Sequence, residues 1–148
     1  IELGEIAAPL CRARGATLVV NSTLGDWPLL DETGLFDGLH IAAREAGRAS
    51  GRPVAPGRWL GASCHDADEL AHAARRQADY AFLGSVATTA SHPGRAPLGF
   101  EAFATLVEPI RLPVYAIGGL TAGDRAASWA AGGQGIAAIG ALWSPGSC

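Results

Sequence analysis

The chain lacks methionine altogether and begins at Ile1, a residue that does not start translation. We therefore expect a fragment, or one domain, of a longer protein. It also lacks any run of about 18 apolar residues, and no basic segment leads into an apolar one near its start. The sequence thus predicts neither a membrane-spanning helix nor a secretory signal.

Cysteine is scarce, and basic charge is dispersed. The three cysteines, Cys11, Cys64 and Cys148, are widely spaced and form no Cys-x-x-Cys pair, so neither a disulfide framework nor a zinc site is predicted. This pattern indicates a protein of the reducing cytoplasm. The arginines are scattered in a chain of net charge −3, which argues against the basic patch typical of nucleic-acid binding. A phosphorylated small molecule, by contrast, needs only a local positive site.

Apolar residues are plentiful: they make up 49% of the 148 residues, against 17% for charged residues. This composition is ordinary for a folded domain with a hydrophobic core. We predict one domain over residues 1–148.

Short apolar runs typical of strands alternate with helical patterns. Strands are predicted at residues 16–20, 36–41, 59–62, 80–84, 114–117 and 135–138. Helices are predicted at residues 3–13, from 66 onward, at 100–107 and at 122–131. Asp66 and Glu69 have the spacing of a capping box, and we interpret them as capping residues. Strands alternating with helices form parallel sheets, so we predict an α/β fold: a (β/α)₈ TIM barrel, incomplete at its N-terminus, with about six βα units present.

In such a barrel the chemistry lies on the loops that follow the carboxyl ends of the strands. Ser63 and His65 end one predicted strand on the same side, with Cys64 on the other, so a nucleophilic Cys–His pair is not expected. His65 is a candidate proton carrier, because an imidazole titrates near neutral pH. The alternative is that His65 caps the following helix or packs in the barrel mouth.

A polar loop follows the strand at residues 80–84 and carries several hydroxyls and a histidine. The hydroxyls of Thr88, Thr89 and Ser91 are candidates for binding pyrophosphate oxygens, with His92 adding charge when it is protonated. An ordinary Ser- and Thr-rich turn is the alternative interpretation.

The last two predicted strands each end in glycine. Gly118, Gly119 and Gly140 leave the backbone bare, and a helix opening after Ile139 would favour an anion at its N-terminus. Tight turns explain each glycine separately, but they do not explain why the glycines occur in two adjacent βα units. We therefore predict a phosphate-binding pair of loops.

Oxygen ligands suited to Mg²⁺ are sparse. Asn21, Asp37 and Glu45 are the candidates. Asp37 precedes its strand and is expected at the opposite end of the barrel, which leaves Glu45 as the well-placed carboxylate. His40 lies among apolar neighbours within a predicted strand, and we interpret it as a core or wall histidine.

The chain resembles the thiamine phosphate synthase and TenI family of (β/α)₈ barrels from residue 18 almost to residue 143. The resemblance rests on Phe-Asp-Gly-Leu-His at 36–40, Leu-Gly-Ala-Ser-Cys-His at 60–65, Asp-Tyr-Ala-Phe-Leu-Gly at 79–84, Thr89, Ser-His-Pro at 91–93, Pro-Leu-Gly-Phe at 97–100, Pro-Val-Tyr-Ala-Ile-Gly-Gly at 113–119 and Gly-Ile-Ala-Ala at 135–138. The Ser-Cys-His and Ser-His-Pro forms are most similar to the version fused behind a Nudix hydrolase domain, which would lie upstream. The oligomeric state stays open, a homo-oligomer included.

The resemblance implies a synthase that joins hydroxymethylpyrimidine pyrophosphate to thiazole phosphate, with Mg²⁺ holding the departing pyrophosphate. The family's metal-binding Asn-Asp pair reads Asn21-Ser22 here, so one carboxylate is absent, whereas a second metal-binding Asp falls at Glu45. Ser63 matches a serine near the pyrimidine and pyrophosphate.

The other substrate contacts also carry over by resemblance. Thr89 and Ser91 match two threonines that contact pyrophosphate or thiazole, and His92 replaces a neighbouring lysine. The backbone positions that bind the thiazole phosphate match Gly118, Gly119, Ile139 and Gly140.

Two other functions stay open. TenI proteins isomerise a thiazole phosphate carboxylate without Mg²⁺, and their proton-transferring histidine falls at His65. The third hypothesis is a domain without turnover that binds thiazole or thiamine phosphate and regulates an upstream Nudix hydrolase.

Overall fold

The computed structural model of the chain describes residues 1–47, 51–89, 94 and 96–143. Six parallel strands lie in chain order in one sheet, which curls into half a barrel. The strands are β1 (Val19–Asn21), β2 (Gly38–Ile41), β3 (Trp59–Cys64), β4 (Tyr80–Gly84), β5 (Val114–Ile117) and β6 (Gly135–Ala137). All six predicted strands are therefore observed, and each pairs in parallel with the next strand along the chain.

Helices connect the strands, as a parallel sheet requires. They are α1 (Glu2–Ala13), α2 (Trp27–Glu32), α3 (Ala43–Ala46), α4 (Ala67–Arg75), α5 (Gly99–Val107), α6 (Arg125–Ala130) and α7 (Gly140–Trp143). The helix predicted at 122–131 starts as a 3₁₀ turn, Ala122–Asp124, before it continues as α6. Asp66 caps α4, as predicted, because its side chain accepts a hydrogen bond from the Glu69 N–H at 2.9 Å.

The two faces of the sheet differ in character because side chains alternate along each strand. One face is apolar and packs on the helices. It belongs to a core that includes Leu39, Leu60, Leu83, Val114, Leu70 and Phe103. The concave face carries rings and hydroxyls instead, with His40, Tyr80, Phe82 and Tyr115 in mutual ring contact.

Carboxylates tie the amino ends of the strands together. Asp37 directly precedes β2, and its Oδ2 accepts the Leu18 N–H at 2.7 Å. Asp79 precedes β4 and accepts the Leu60 N–H in the same way, at 2.7 Å. Arg52 donates to the Asp79 carboxylate at 2.8 Å. Asp37 thus lies at the end of the sheet away from the predicted chemistry, as expected.

Within the described residues, no helix is long and apolar enough to cross a membrane.

Candidate functional site

A cavity of about 560 Å³ opens at the carboxyl ends of β3, β4, β5 and β6. Seven of the residues predicted for the site line it: Ser63, His65, Thr89, Gly118, Gly119, Ile139 and Gly140. The residues that follow the predicted strands therefore indicated the position of the cavity from sequence alone. Ser91 and His92, the other two predicted substrate contacts, lie outside the described residues.

The loops after β4 and β5 meet closely along one wall of the cavity. Gly118 and Gly119 have φ angles of +100° and +68°, which L-residues with a side chain rarely adopt. A Cβ at Gly118 would lie 2.7 Å from Ser85 Cα, and a Cβ at Gly119 would overlap the Thr88 carbonyl oxygen. The glycines therefore serve loop packing as well as leaving the backbone accessible to a ligand.

Gly140 differs from these two glycines. A Cβ placed there would meet no atom within 4 Å. The position opens onto free space where α7 begins, beside Ile139, whose side chain is 74% exposed. A small side chain has room here.

Ser63 is held by a hydrogen-bonded chain on the concave face. His40 Nε2 lies 2.9 Å from Ser63 Oγ, and His40 Nδ1 lies 3.2 Å from the Tyr80 hydroxyl. His40 is only 5% exposed and stacks on Phe82, with ring centroids 4.7 Å apart. The interpretation of His40 as a core or wall histidine is confirmed, but the sequence reasoning missed its contact with Ser63.

Burial determines the ionisation of the hydrogen-bonded side chains His40 and Tyr80. Desolvation lowers the pKa of His40 from 6.5 to about 4, so the imidazole is neutral at pH 7. Burial, assisted by the charges of Asp79 and Tyr115, raises the pKa of Tyr80 from 10.0 to about 12. A neutral imidazole with so low a pKa is a poor general base. His40 is therefore suited to orient the Ser63 hydroxyl rather than to activate it as a nucleophile.

His65 is fixed by Glu69 from the first turn of α4. Glu69 Oε2 accepts the His65 backbone N–H at 2.7 Å and lies 3.0 Å from His65 Nδ1. Asp66, not His65, is the cap of α4, so the alternative in which His65 caps that helix does not hold. Glu69 departs from the predicted capping box, because its carboxylate accepts the N–H of His65, the residue before the cap, and contacts the imidazole ring.

Cys64 sits between the two candidate residues and is inert. Its side chain is 1% exposed, and burial, followed by the charges of Glu69 and Asp66, raises the pKa of the thiol from 9.0 to about 12. A thiol that stays protonated at neutral pH is neither a nucleophile nor a metal ligand. The expectation that Cys64 and His65 do not form a nucleophilic pair agrees with this environment.

The two predicted metal ligands come from neighbouring loops. Asn21 ends β1 and is exposed, and Glu45 lies in α3, directly after β2. Glu45 Oε2 lies 3.5 Å from the Leu24 backbone nitrogen, so the carboxylate reaches the loop that follows Asn21. Ser22, where a carboxylate is absent, points its hydroxyl toward Asp26 Oδ2 at 3.4 Å.

In the described part of the chain, no three His, Cys, Asp or Glu side chains cluster as ligands for a metal ion. One carboxylate and one amide oxygen nevertheless fit Mg²⁺, which commonly takes one or two carboxylates and completes its shell with water and substrate phosphates. Asn21 and Glu45 are thus compatible with an ion bound together with a phosphorylated substrate.

Phe82 and Thr121 line the cavity but were not predicted, whereas Ser85 and Thr88 belong to the loop after β4, which was. Thr121 has a recognisable signal, the capping-box spacing Thr-x-x-Asp from 121 to 124, and its hydroxyl and N–H both donate to Asp124 Oδ2, at 2.9 and 2.7 Å. The exact places of Ser85 and Thr88 depend on how the loop after β4 packs against Gly118 and Gly119.

The sequence profile described as thiamine monophosphate synthase matches residues 1–142 of the chain. The chain belongs to the thiamine monophosphate synthase family. Among its relatives, thiamine-phosphate synthase from Chlorobium luteolum is 35% identical over 142 residues, which cover 95% of this chain and 65% of the relative. Thiamine-phosphate synthase from Bordetella avium is 39% identical over 144 residues, covering 92% of this chain and 64% of the relative.

A solved structure of the thiamine monophosphate synthase family has the same fold. Thiamine phosphate pyrophosphorylase from Pyrococcus furiosus superposes with a TM-score of 0.68 at 26% identity, over 93% of this chain and 64% of that one. The chain thus spans less than two thirds of the length of these relatives.

Proposed function

We propose that the protein acts in thiamine biosynthesis as a thiamine phosphate synthase: a transferase that joins the pyrimidine of hydroxymethylpyrimidine pyrophosphate to thiazole phosphate and releases pyrophosphate. The observation that supports this most is the cavity at the carboxyl ends of β3–β6, in which bare glycine backbone faces the hydroxyl- and imidazole-bearing residues of β3 and the loop after β4. Membership of the synthase family gives that cavity its substrate class.

The thiazole phosphate would be bound by main chain rather than by cationic side chains. The chain contains no lysine, and no arginine lines the cavity among the residues described. Gly118, Gly119, Ile139 and Gly140 line the cavity, and an anion can approach bare glycine backbone closely.

The pyrophosphate would be bound on the β3 and β4 side of the cavity. Ser63 is oriented by His40 and can donate its hydroxyl hydrogen to a phosphate oxygen. Thr89 lines the same side, and Ser91 and His92 follow it in the sequence. Asn21 and Glu45 would hold Mg²⁺, which neutralises the charge on the departing pyrophosphate when it is bound.

The test is to mix the intact protein with both substrates and Mg²⁺ and to measure thiamine phosphate. We expect product from the wild type and at least about tenfold less from Glu45→Ala, since a metal-site carboxylate is removed. Glu101→Ala, which removes an exposed carboxylate on α5, is the matched control and should behave as the wild type. No product from the wild type would refute the synthase, and full activity of Glu45→Ala would refute the metal assignment.

The second candidate function is a TenI-like thiazole tautomerase, favoured by the contact between His65 and Glu69. Tautomerisation needs one group that takes a proton from the ring and returns it elsewhere, which an imidazole can do without a metal. A His65→Asn variant should then lose thiazole isomerisation. Undiminished activity would remove His65 from the mechanism.

Binding without conversion is the third possibility. If the protein binds thiazole phosphate or thiamine phosphate and catalyses neither reaction, the regulatory hypothesis, with an upstream Nudix domain, replaces the two enzymatic ones. The completion of the half-barrel to eight strands, the cytoplasmic location and a homo-oligomeric state stay predictions.

A further inference from the structure

We propose that Glu69 is a positioning residue: it fixes the orientation and tautomer of the His65 imidazole, so that Nε2 is the proton-accepting atom presented to the cavity. The inference rests on the proposed tautomerase function of His65 and adds which atom acts and which residue sets it.

The geometry fixes both the backbone and the ring of His65. A single oxygen, Glu69 Oε2, takes the backbone N–H at 2.7 Å and lies 3.0 Å from Nδ1. Glu69 is itself held, because its backbone N–H donates to Asp66 Oδ1 at 2.9 Å. The imidazole is thus tied to the start of α4 through two successive contacts.

These contacts distinguish the pair from an ordinary exposed i,i+4 ion pair, which contributes little and has no fixed geometry. His65 and Glu69 side chains are 35% and 30% exposed, and His65 lines the cavity. Among the residues that the structure describes, no group is hydrogen-bonded to Nε2. The Nδ1 atom of the ring is therefore engaged by Glu69, and Nε2 is left for a ligand.

The tautomer follows from the acceptor. A carboxylate has no hydrogen to donate, so Nδ1 must carry the proton, and in the neutral ring Nε2 then bears the lone pair. When Nε2 takes a proton from a substrate carbon, Glu69 stabilises the resulting imidazolium; return of that proton to another carbon completes an isomerisation without net loss of electrons or atoms.

Few charged groups lie near the ring in the part of the chain that the structure describes. Glu69 and Asp66 lie on the α4 side of the ring. Burial is the main cause of the raised pKa of the neighbouring Cys64 thiol, and the negative charges of Glu69 and Asp66 add to it. Among the described residues, the cavity lining includes no Asp, Glu, Lys or Arg. Glu69 is thus the charged group in direct contact with His65.

The first measurement is the ¹⁵N NMR spectrum of the histidine side chains in the intact protein, at a pH where His65 is neutral, with the His65 signals assigned by their loss in His65→Asn. We expect a proton on Nδ1 and a bare Nε2. In Glu69→Ala the proton should move to Nε2 in most molecules. In Glu69→Gln, whose amide oxygen still accepts, it should stay on Nδ1. A wild-type ring protonated on Nε2 would overturn the proposal, whether or not any variant folds.

The second measurement is steady-state thiazole isomerisation. Glu69→Ala should lower kcat by about 10–100-fold with little change in KM, as loss of a group that orients a reacting ligand does. Asp68→Ala, which removes an exposed carboxylate in the same helical turn, should match the wild type. An unchanged kcat in Glu69→Ala would overturn the proposal. A wild type without isomerase activity would instead refute the tautomerase function, while the spectrum still decides the tautomer.

Discussion

At the scale of single residues, His40 was interpreted from the sequence as a core or wall histidine, yet it contacts and orients the candidate site residue Ser63. Its two ring nitrogens contact Tyr80 and Ser63, and its ring stacks on Phe82. The alternation of strand residues contains the necessary signal, because His40 pairs with Gly61 in the parallel register and Ser63 lies two residues further on the same face.

The buried imidazole of His40 makes stability depend on pH. Its pKa is about 4 in the folded chain and 6.5 in the unfolded one, so between these values the unfolded chain binds the proton more readily. The contribution of His40 is therefore fully present above pH 6.5 and is lost as the pH falls toward 4, by about 3 kcal/mol in all.

This pH dependence can be measured by urea unfolding at several pH values, comparing wild type with His40→Gln. The glutamine variant should lose less stability than the wild type between pH 6.5 and 4. Identical pH profiles would show that His40 is not held neutral by burial.

Gly119 carries the second prediction at this scale. In Gly119→Ala a side chain must adopt a φ near +68° and avoid the Thr88 carbonyl oxygen, so the loop has to shift. The conformation alone costs about 1–2 kcal/mol. We expect the Kd for thiazole phosphate, measured by isothermal titration calorimetry, to rise at least about tenfold. The control is Gly123→Ala, at an exposed position, and equal affinity in the two variants would contradict a role of Gly119 in binding thiazole phosphate.

The residue types of the site were predictable, but their partners were not. Gly118, Gly119 and His65 could be named because each ends a strand, and strand ends meet at one edge of a parallel sheet. The contact of Glu69 with His65 depends on a side-chain rotamer at the start of α4, and Asp66 and Glu69 already had a sufficient explanation as a capping box.

At the scale of elements, β2, β3 and β4 meet through a glycine. A Cβ at Gly61 of β3 would overlap the Tyr80 ring and His40 Nδ1, so the side chains of the flanking strands touch only because β3 carries no side chain there. The sequence predicted all three strands, but it did not indicate that Gly61 makes room between them.

Gly61→Ala should therefore separate His40 from Tyr80 and strain the sheet. Inserting a methyl group into a packed site costs about 1–3 kcal/mol, which a lower urea midpoint would reveal. Gly25→Ala is the matched control, because a Cβ there lies 3.7 Å from its nearest neighbour, Thr23 Oγ1. An unchanged midpoint for Gly61→Ala would show that the two rings can move apart freely.

At the scale of the whole molecule, the two edges of the sheet have different roles. The amino ends of the strands are tied by Asp37, Asp79 and Arg52, and the carboxyl ends hold the cavity. The predicted order of strands and helices was sufficient to separate these edges, because parallel strands all run in one direction and their carboxyl ends therefore meet at the same edge.

This separation predicts that stability and ligand binding respond to different substitutions. Asp79→Ala leaves the Leu60 N–H and Arg52 without their carboxylate, which should cost about 1–3 kcal/mol of unfolding free energy. Asp37→Ala, the equivalent change at an exposed aspartate, should cost less. Urea unfolding measures both costs, and the Kd for thiazole phosphate of the folded protein should stay as in the wild type. A Kd that changes in proportion to stability would refute the separation.

The ring cluster on the concave face also has an optical consequence. The chain contains two tyrosines, and both Tyr80 and Tyr115 touch Phe82, which lines the cavity. Two of the tryptophans, Trp59 and Trp129, are exposed and do not line the cavity. Ligand binding in the cavity should therefore change the tyrosine bands in near-ultraviolet circular dichroism, a change that can be measured without a label.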